Sequence, residues 1–300
     1  MNTTPGLTVI VHTRNSAATL EACLDSVHDW ATEILVVDQA STDDTVKIAK
    51  KLGARILPQP AIGYVEPSRQ VALEAVQTDW TCILDADEEL PAALRQNIVT
   101  LLQAPSSDVY ALPRKNMIFG KWARGGWWPD YQVRLFKTGT VQWPPELHAQ
   151  PIISGTVEQL PAKEEWAIRH HNYTDINSFV QRAQRYSDIA SDEVVAGKRD
   201  VVAHPVESFL RDFLRWHYAE NGKKDGTHGL SLSTLQSFFE ALVLMKSWEK
   251  KKFPTTAMPP LDHILDQIAD EAFYWEMYGQ WEKATGWRKW LLRLRMKLRL

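Results

Sequence analysis

The 300-residue chain has little cysteine and little excess of charge. Its two cysteines, Cys23 and Cys82, fall inside apolar patterns, so we expect reduced core residues rather than a disulfide or a metal-ligand pair. Two reduced cysteines suit a protein of a reducing compartment. The net charge of -3 gives no global reason to expect a nucleic-acid partner.

Long apolar segments are missing as well. No apolar run approaches the roughly 18 residues that a membrane-spanning helix needs. Residues 1–6 contain no positively charged stretch that leads into an apolar core, so no signal peptide is expected. We therefore expect a cytoplasmic protein.

The sequence also lacks a glycine-rich phosphate loop. No G-x-G-x-x-G pattern follows a strand pattern, which disfavours a dinucleotide-dependent dehydrogenase. A nucleotidyltransferase that makes nucleotide sugars would need such a loop after its first strand, and residues 12–17 contain no glycine there. That function is kept as an alternative.

Strand and helix patterns alternate over the first hundred residues. Apolar, β-branched runs at 7–12, 33–38, 54–57 and 80–84 alternate with helical patterns at 20–27, 41–52, 66–77 and 91–103. This alternation predicts an α/β fold with a mostly parallel sheet flanked by helices. Ligands of such sheets bind beyond the carboxyl ends of the strands.

The pattern changes twice further along the chain. Between residues 109 and 168, short extended pieces at 109–113, 132–137 and 140–143 alternate with Gly, Pro and Trp, and helical patterns dominate from about residue 174 onward. We therefore predict a catalytic domain over 1–172 and a helical C-terminal extension over 173–300.

The sharpest chemical signal is an acidic motif, Asp85-Ala86-Asp87, directly after an apolar strand. In an extended chain, residues i and i+2 point to the same side, so both carboxylates can face one space. Such a pair suits Mg²⁺ or Mn²⁺, which also takes phosphate oxygens as ligands. The motif is short and common, and a solvated acidic turn is the alternative.

Two further charged residues strengthen that interpretation. Asp38 ends an apolar strand and can accept from a base N–H group, or it can merely cap the following turn. Arg69 begins a helix and can meet phosphate or ribose oxygens, or it can be a surface residue. Three charged groups at one sheet edge indicate a ligand site more strongly than any one of them.

These segments together resemble a known family. The segments at 7–15, 20–27, 33–38, 41–45 and 85–88 resemble the family 2 glycosyltransferases, which have the Rossmann-like GT-A fold. Residues 127–136, 147–148 and 171–173 are similar to the bacterial branch that includes lipopolysaccharide-core glucosyltransferases.

The resemblance implies a role for each residue of the donor site. Nucleotide contacts fall to the loop after the first strand and to three charged residues beyond it: Thr13, Arg14 and Asn15, then Asp38, Arg69 and Asp85. Asp38 would read the base, and Asp87 would hold a divalent metal, Mn²⁺ or Mg²⁺. UDP is the implied donor nucleotide, with glucose as one candidate sugar.

Family members generally invert the anomeric carbon, and the acceptor hydroxyl then needs a carboxylate to take its proton. Asp130 is the first candidate because it follows Trp127 and Trp128, which could stack on an acceptor sugar. Glu146 is the second candidate. A glutamate that commonly follows the histidine in the lipopolysaccharide branch is replaced here by Ala149.

Histidines could complete the metal site. His148 is the predicted ligand, with His170 and His171 as further candidates. The alternative is that all of them are hydrogen-bonded loop residues.

These expectations combine into one function. We expect an inverting, metal-dependent glycosyltransferase that moves a sugar from a nucleotide donor to a hydroxyl of a cell-envelope glycan or a lipid-linked acceptor. The other alternative is a non-catalytic, membrane-associated scaffold with a degenerate fold. The intact Asp38, Asp85 and Asp87 argue against the scaffold, and Ala149 is a point in its favour.

The end of the chain is basic and apolar. Residues 288–300 carry six basic side chains and no acidic one. On a helix, one side would gather five apolar residues: Trp287, Trp290, Leu291, Leu294 and Leu298. We expect residues 287–300 to lie on an anionic membrane surface; packing on their own domain or on another subunit is the alternative.

Overall fold

The computed structural model describes residues 5–62, 65–146, 150–200, 204–255 and 260–298. Its internal contacts divide the chain into two units. The first unit is Met1–Trp122 with Trp128–Asn172, and the second is Ala123–Trp127 with Tyr173–Leu300. The predicted metal ligand His148, Ala149 and the last two residues of the predicted membrane segment lie outside the described residues, as does the side chain of Leu298.

The first unit is built on a sheet. Its strands are β1 (Leu7–Thr13), β2 (Glu33–Asp38), β3 (Arg55–Pro58), β4 (Trp80–Asp85), β5 (Glu88–Glu89), β6 (Val109–Ile118), β7 (Lys121–Trp122), β8 (Asp130–Lys137), β9 (Val141–Gln142), β10 (Ile152–Ile153), β11 (Val157–Gln159) and β12 (Ile168–Tyr173). Its helices are α1 (Leu20–Asp25), α2 (Thr45–Lys51), α3 (Glu66–Glu74) and α4 (Ala92–Gln103).

The strand order is β3-β2-β1-β4-β8-β6-β12-β5, with β7 and β11 also paired to β6. Strands β1 to β4 are joined by parallel pairing, whereas β8 runs antiparallel to both β4 and β6. β9 and β10 form a separate antiparallel pair. The predicted α/β class, with a parallel sheet flanked by helices and followed by a helical region, is confirmed.

Both faces of this sheet are buried, as the alternation of β1 shows. Val9 and Val11 pack into one apolar cluster together with Leu20 and Leu24 of α1. Ile10 points the other way, into a second cluster that contains residues of α3 and its C-terminal end. Side chains of a strand alternate between faces, so β1 joins two cores. This central position fixes where its polar C-terminal end lies.

Some predicted boundaries were wrong, and polar contacts explain two of them. The helix predicted from residue 41 begins at Thr45, because the backbone N–H groups of Ser41 and Thr42 bond to side chains of earlier residues. The strand predicted to end at Pro113 continues to Ile118, because antiparallel pairing with β8 continues through Pro113 and Arg114.

The second unit is helical. It contains α5 (Ile176–Val195), α6 (Pro205–Leu214), a π-helical turn (Arg215–Ala219), α7 (Gly226–Lys250), α8 (Leu261–Lys283) and α9 (Gly286–Leu298). One apolar cluster joins α5 to α7 through Val194 and Val243. Another joins α6 to α8 through Leu214, Ile264 and Ile268.

A short segment from the middle of the chain belongs to this helical unit. The backbone N–H groups of Arg124 and Gly125 donate to the Asp225 carboxylate at 2.7 and 2.9 Å. A Cβ at Gly125 would lie 2.3 Å from the carbonyl oxygen of Asn221, so a side chain there would clash with backbone. No pattern in the sequence had indicated that residues 123–127 join the helices.

The close packing around α7 generates a stability prediction. A Cβ on Gly229 would lie 1.9 Å from the carbonyl oxygen of Gly222. We therefore expect Gly229→Ala to lower the free energy of unfolding by about 1–3 kcal/mol, as overpacked sites do. Urea unfolding of the full chain measures this change.

The matched control is Gly279→Ala in α8. A Cβ there would meet its nearest neighbour, Nζ of Lys223, at 3.6 Å. Alanine is the better helix former, so this change should be neutral or stabilising by up to about 1 kcal/mol. Equal midpoint shifts for the two variants would contradict the close approach of Gly229 to Gly222.

Candidate active site

Two predicted nucleotide-binding residues hold the loop after β2. β1 and β2 end side by side, with Thr13 opposite Asp38. The Asp38 carboxylate accepts from the backbone N–H of Ser41 at 3.2 Å. Asn15, in the left-handed region with φ 49°, accepts through Oδ1 from the N–H of Thr42 at 2.8 Å. Both side chains shape the loop, and their contact with a nucleotide stays a prediction.

The end of β1 presents polar atoms that are buried without a partner among the described residues. They are Thr13 Oγ1 and His12 Nε2. The other ring nitrogen of His12 lies 3.4 Å from the Ser68 hydroxyl. Burial and the nearby Arg69 lower the pKa of His12 to about 3, so its ring is neutral. Unsatisfied buried polar atoms are costly, and two at one strand end indicate a place for a ligand or water.

His12 was not among the predicted site residues. It stands inside the β-branched run that was assigned as a buried strand. A polar ring at a strand position next to the carboxyl edge is the signal that could have identified it. The exposed Arg14 follows two residues later.

The centre of the site is a buried guanidinium on β8. Arg134 is 2% exposed, and its Nη2 donates to Asp85 Oδ2 at 2.6 Å and to Glu88 Oε1 at 2.8 Å. Glu88 is fully buried, and its other oxygen accepts from the backbone N–H of Asp85 at 3.0 Å. One arginine of β8 therefore binds both Asp85, at the end of β4, and Glu88, the first residue of β5.

A second arginine reaches Asp85 from α3. Nη2 of Arg69 lies 3.6 Å from Asp85 Oδ1, and its guanidinium stacks 4.3 Å above the ring of Trp143. Gln70 Oε1 accepts from the backbone N–H of Trp143 at 2.9 Å, which ties the Trp143 backbone to α3. Burial would raise the pKa of Asp85, but Arg134 and Arg69 more than offset it and hold that pKa well below its usual range. Asp85 is thus an ionised, anchored carboxylate.

Asp130, the first candidate for the base, is surrounded by donors. Arg114 contributes Nη2 at 2.6 Å and Nε at 2.8 Å, Asn116 donates at 3.0 Å and Gln132 at 2.7 Å. Burial acts to raise the pKa of Asp130, but Arg114 and the hydrogen bonds prevail and lower it. Arg114 also lies 3.2 Å from Glu88, which joins this carboxylate to the Arg134 cluster. The second candidate, Glu146, is exposed.

Asp87 has surroundings that differ from those of Asp85. Ala86 and Asp87 form a turn, so the extended geometry expected for the motif was wrong. Asp87 Oδ2 lies 3.5 Å from Nε2 of His170, whose Nδ1 is 2.6 Å from the Asn116 side-chain oxygen. His171 instead pairs with Glu89 at 2.7 Å. The sequence had left both histidines open, and each is engaged with a neighbouring side chain.

The acidic motif fits a metal that arrives together with a diphosphate. Within the described ranges, no group of three or more His, Cys, Asp or Glu side chains could hold a metal ion. Mg²⁺, however, commonly binds through one or two carboxylates plus substrate phosphates and water. The Asp87 side chain is 26% exposed and can serve as such a ligand, whereas both oxygens of Asp85 face arginines.

The two tryptophans before Asp130 have separate ring partners. Trp128 meets Trp122 edge to face at 5.1 Å, within the first unit. Trp127 stacks on Trp216 at 5.3 Å, within the helical unit. Each ring is partly buried. Stacking of these two rings on an acceptor sugar stays a prediction.

The buried position of Arg134 predicts a large stability effect. Arg134→Met leaves the buried Glu88 without its shortest ion pair, and breaking a buried pair typically costs about 3–5 kcal/mol. The control is Arg169→Met, because Arg169 is 45% exposed and lies 3.7 Å from Glu89. That change should cost at most about 1 kcal/mol. Similar urea midpoints for the two variants would show that Arg134 does not organise the site.

Comparison with known proteins finds a family match. Residues 8–151 match the model of "Glycosyl transferase family 2". A protein of Rickettsia bellii described as an uncharacterized glycosyltransferase is 37% identical over 107 residues, which is 36% of this chain and 36% of that protein. The chain therefore aligns with little more than a third of that relative's length.

Two other proteins align over more of the chain. The lipopolysaccharide core biosynthesis glycosyltransferase LpsC of Rhizobium meliloti is 26% identical over 246 residues, or 76% of this chain and 83% of LpsC. The crystal structure of S. aureus TarS residues 1–349 covers 82% of this chain and 92% of its own at 14% identity, with a TM-score of 0.44, too low to support an assignment. The family match identifies residues 8–151 as a glycosyl transferase family 2 domain, and both curated relatives carry the name glycosyltransferase.

Proposed function

We propose that this chain is an inverting glycosyltransferase that moves a sugar from a UDP-linked donor to a hydroxyl of a cell-envelope glycan or lipid-linked acceptor. The proposal is carried by one observation. A family 2 domain has a cluster of paired charged residues at the carboxyl end of β4 and the adjoining part of the antiparallel β8, the edge at which ligands of such sheets bind.

The donor would lie across the ends of the parallel strands. Asp38 at the end of β2 is the proposed contact to the base, and the neutral His12 and Thr13 offer buried polar atoms nearby along β1. Nε of Arg69 is buried without a hydrogen-bond partner among the described residues, and the same guanidinium lies beside the anchored Asp85. It is the proposed contact to the diphosphate or ribose, with Asp85 at the ribose or sugar.

The metal belongs to the Asp87 side of the motif. Asp87 is the proposed protein ligand, with substrate phosphates and water completing the coordination. Mn²⁺ or Mg²⁺ bound there would neutralise charge on the departing diphosphate. His170 would orient the Asp87 carboxylate, because it is itself held by Asn116.

The proposed transfer is a single displacement. The acceptor oxygen forms a bond to the anomeric carbon as the bond to the UDP oxygen breaks, and the hydroxyl proton passes to a carboxylate. Asp130 is the proposed base because Arg114 and Asn116 keep it ionised and fix its orientation. Those same contacts lower its basicity, so the exposed Glu146 is retained as the second candidate.

The acceptor class rests on the similarity to LpsC. LpsC carries lipopolysaccharide core biosynthesis in its name and aligns over most of both chains. An envelope glycan, free or lipid-linked, is therefore the proposed acceptor. Glucose is the proposed donor sugar because the motifs around Asp130 resemble the glucosyltransferase branch.

The metal assignment makes a binding prediction. Asp87→Asn should weaken Mn²⁺-dependent UDP binding by at least about tenfold, since a carboxylate ligand is lost. The control is Asp29→Asn, whose side chain is 92% exposed and pairs with His28. Isothermal titration with and without Mn²⁺ measures both. Unchanged metal dependence in the Asp87 variant, with the fold intact, would exclude Asp87 as the ligand.

The base assignment makes a kinetic prediction. Asp130→Asn should keep UDP binding and slow sugar transfer by about 10²–10⁴-fold, the usual contribution of a general base. Glu146→Gln should transfer at the wild-type rate. The assay follows labelled sugar passing from UDP-glucose to lipopolysaccharide with a truncated core. If Asp130→Asn transfers normally and Glu146→Gln does not, the two roles are exchanged.

A further inference from the structure

The last helix of the chain, α9, has an inner and an outer face. Lys289 lies on the inner face, 4.2 Å above the ring of Trp281 in α8. Leu292 and Met296, about one and two turns further on, share that face and are partly buried. The helix is therefore attached to its own unit along one side.

The outer face of α9 is apolar and open. Trp287 is 73% exposed, Trp290 67% and Leu291 40%. At about 100° per residue, these three side chains and Leu294 fall within a stripe roughly 100° wide, on the side away from Lys289. Trp287 and Trp290 are the most exposed of the large apolar side chains in the described residues. An apolar stripe of this kind indicates a contact surface.

Basic side chains border this stripe on both sides. Arg288 and Arg295 lie along one border, and Arg293 and Lys297 lie along the other; all four are exposed. Residues 288–300 contain no acidic side chain. A surface partner of this face must therefore be apolar at its centre and negatively charged around it.

We propose that α9 lies flat on an anionic lipid surface, with Trp287, Trp290 and Leu291 inserted among the acyl chains. The flanking arginines would meet the lipid phosphates, which is the arrangement of interfacial helices. No helix in the described part of the chain is long and apolar enough to cross a membrane. The helix would thus lie on the membrane surface and not cross the membrane. Tryptophan rings favour this membrane–water interface.

Charge disfavours a second copy of the chain as the occupant. Two α9 helices packed stripe against stripe would place Arg288 and Arg293 of each helix close to the basic borders of the other. Like charges brought together at an interface are repulsive. The same borders are attracted to anionic headgroups, so the charge pattern selects lipid over self-association.

Co-sedimentation of the full chain with vesicles tests the proposal. We expect the protein to pellet with phosphatidylcholine vesicles that contain phosphatidylglycerol, but not with phosphatidylcholine alone, and to be released by salt. Trp287→Ser with Trp290→Ser should weaken binding by at least about tenfold. Arg288→Gln with Arg293→Gln should weaken it by roughly 25-fold, at about fivefold for each basic residue.

Matched controls separate the helix from general surface effects. Phe238→Ser removes an apolar side chain of α7 that is 46% exposed. Lys47→Gln with Lys51→Gln removes two exposed charges from α2, at 82% and 71% exposure. Both control proteins should bind vesicles as the wild type does.

Three results would overturn the proposal. The first is a wild-type protein that stays in the supernatant with phosphatidylglycerol vesicles at low salt. The second is a loss of binding in the control variants as large as in the α9 variants. The third is a wild-type dimer in analytical ultracentrifugation that Trp287→Ser with Trp290→Ser converts to monomer, which would make the stripe an interface between copies. These readouts need no sugar transfer and are independent of the proposed catalytic activity.

Discussion

The Arg134 guanidinium, buried between β4 and β8, is the interaction on which the rest of the site depends. A buried charge is tolerated when it is paired and hydrogen-bonded, and Arg134 meets that condition through Asp85 and the fully buried Glu88. Neighbouring charges extend the cluster outward. Its members are Arg69, Arg114 and Arg134 with Asp85, Glu88 and Asp130.

This arrangement gives the two aspartates of the acidic motif different surroundings. Asp85 is anchored by arginines from α3 and β8, so it is fixed in place and ionised. Asp87 lies in the turn beyond, next to His170, and can offer an oxygen to a metal that arrives with phosphates. Asp130 is linked to the same cluster through Arg114. A displacement of β8 would therefore disturb the proposed donor and acceptor residues together.

Local patterns predicted the four parallel strands β1 to β4 and the four helices of the first unit, because each carries its own periodicity and termini. They also predicted which strands end in polar residues. The partners across the sheet were not predictable, since Arg114 meets Asp130 through the register of β6 with β8, 16 residues apart in sequence. His12 was not predicted as a site residue because its neighbours in sequence are apolar. The turn at Asp87 was not predicted because the acidic motif was assumed to be extended. Residues 123–127 belong to the helical unit because the backbone N–H groups of Arg124 and Gly125 bond to Asp225. Asp225 is too distant in sequence for a local pattern to predict this contact.

The central claim is that the carboxyl edge of this sheet binds a nucleotide sugar together with a metal. Isothermal titration of the wild-type protein with UDP, GDP, CDP and TDP, each with and without Mn²⁺, tests it most directly. The account predicts that UDP binds and that Mn²⁺ strengthens its binding. In the presence of Mn²⁺, UDP should bind at least about tenfold more tightly than the other nucleotides do. A folded protein that binds none of them with any metal dependence would contradict the account.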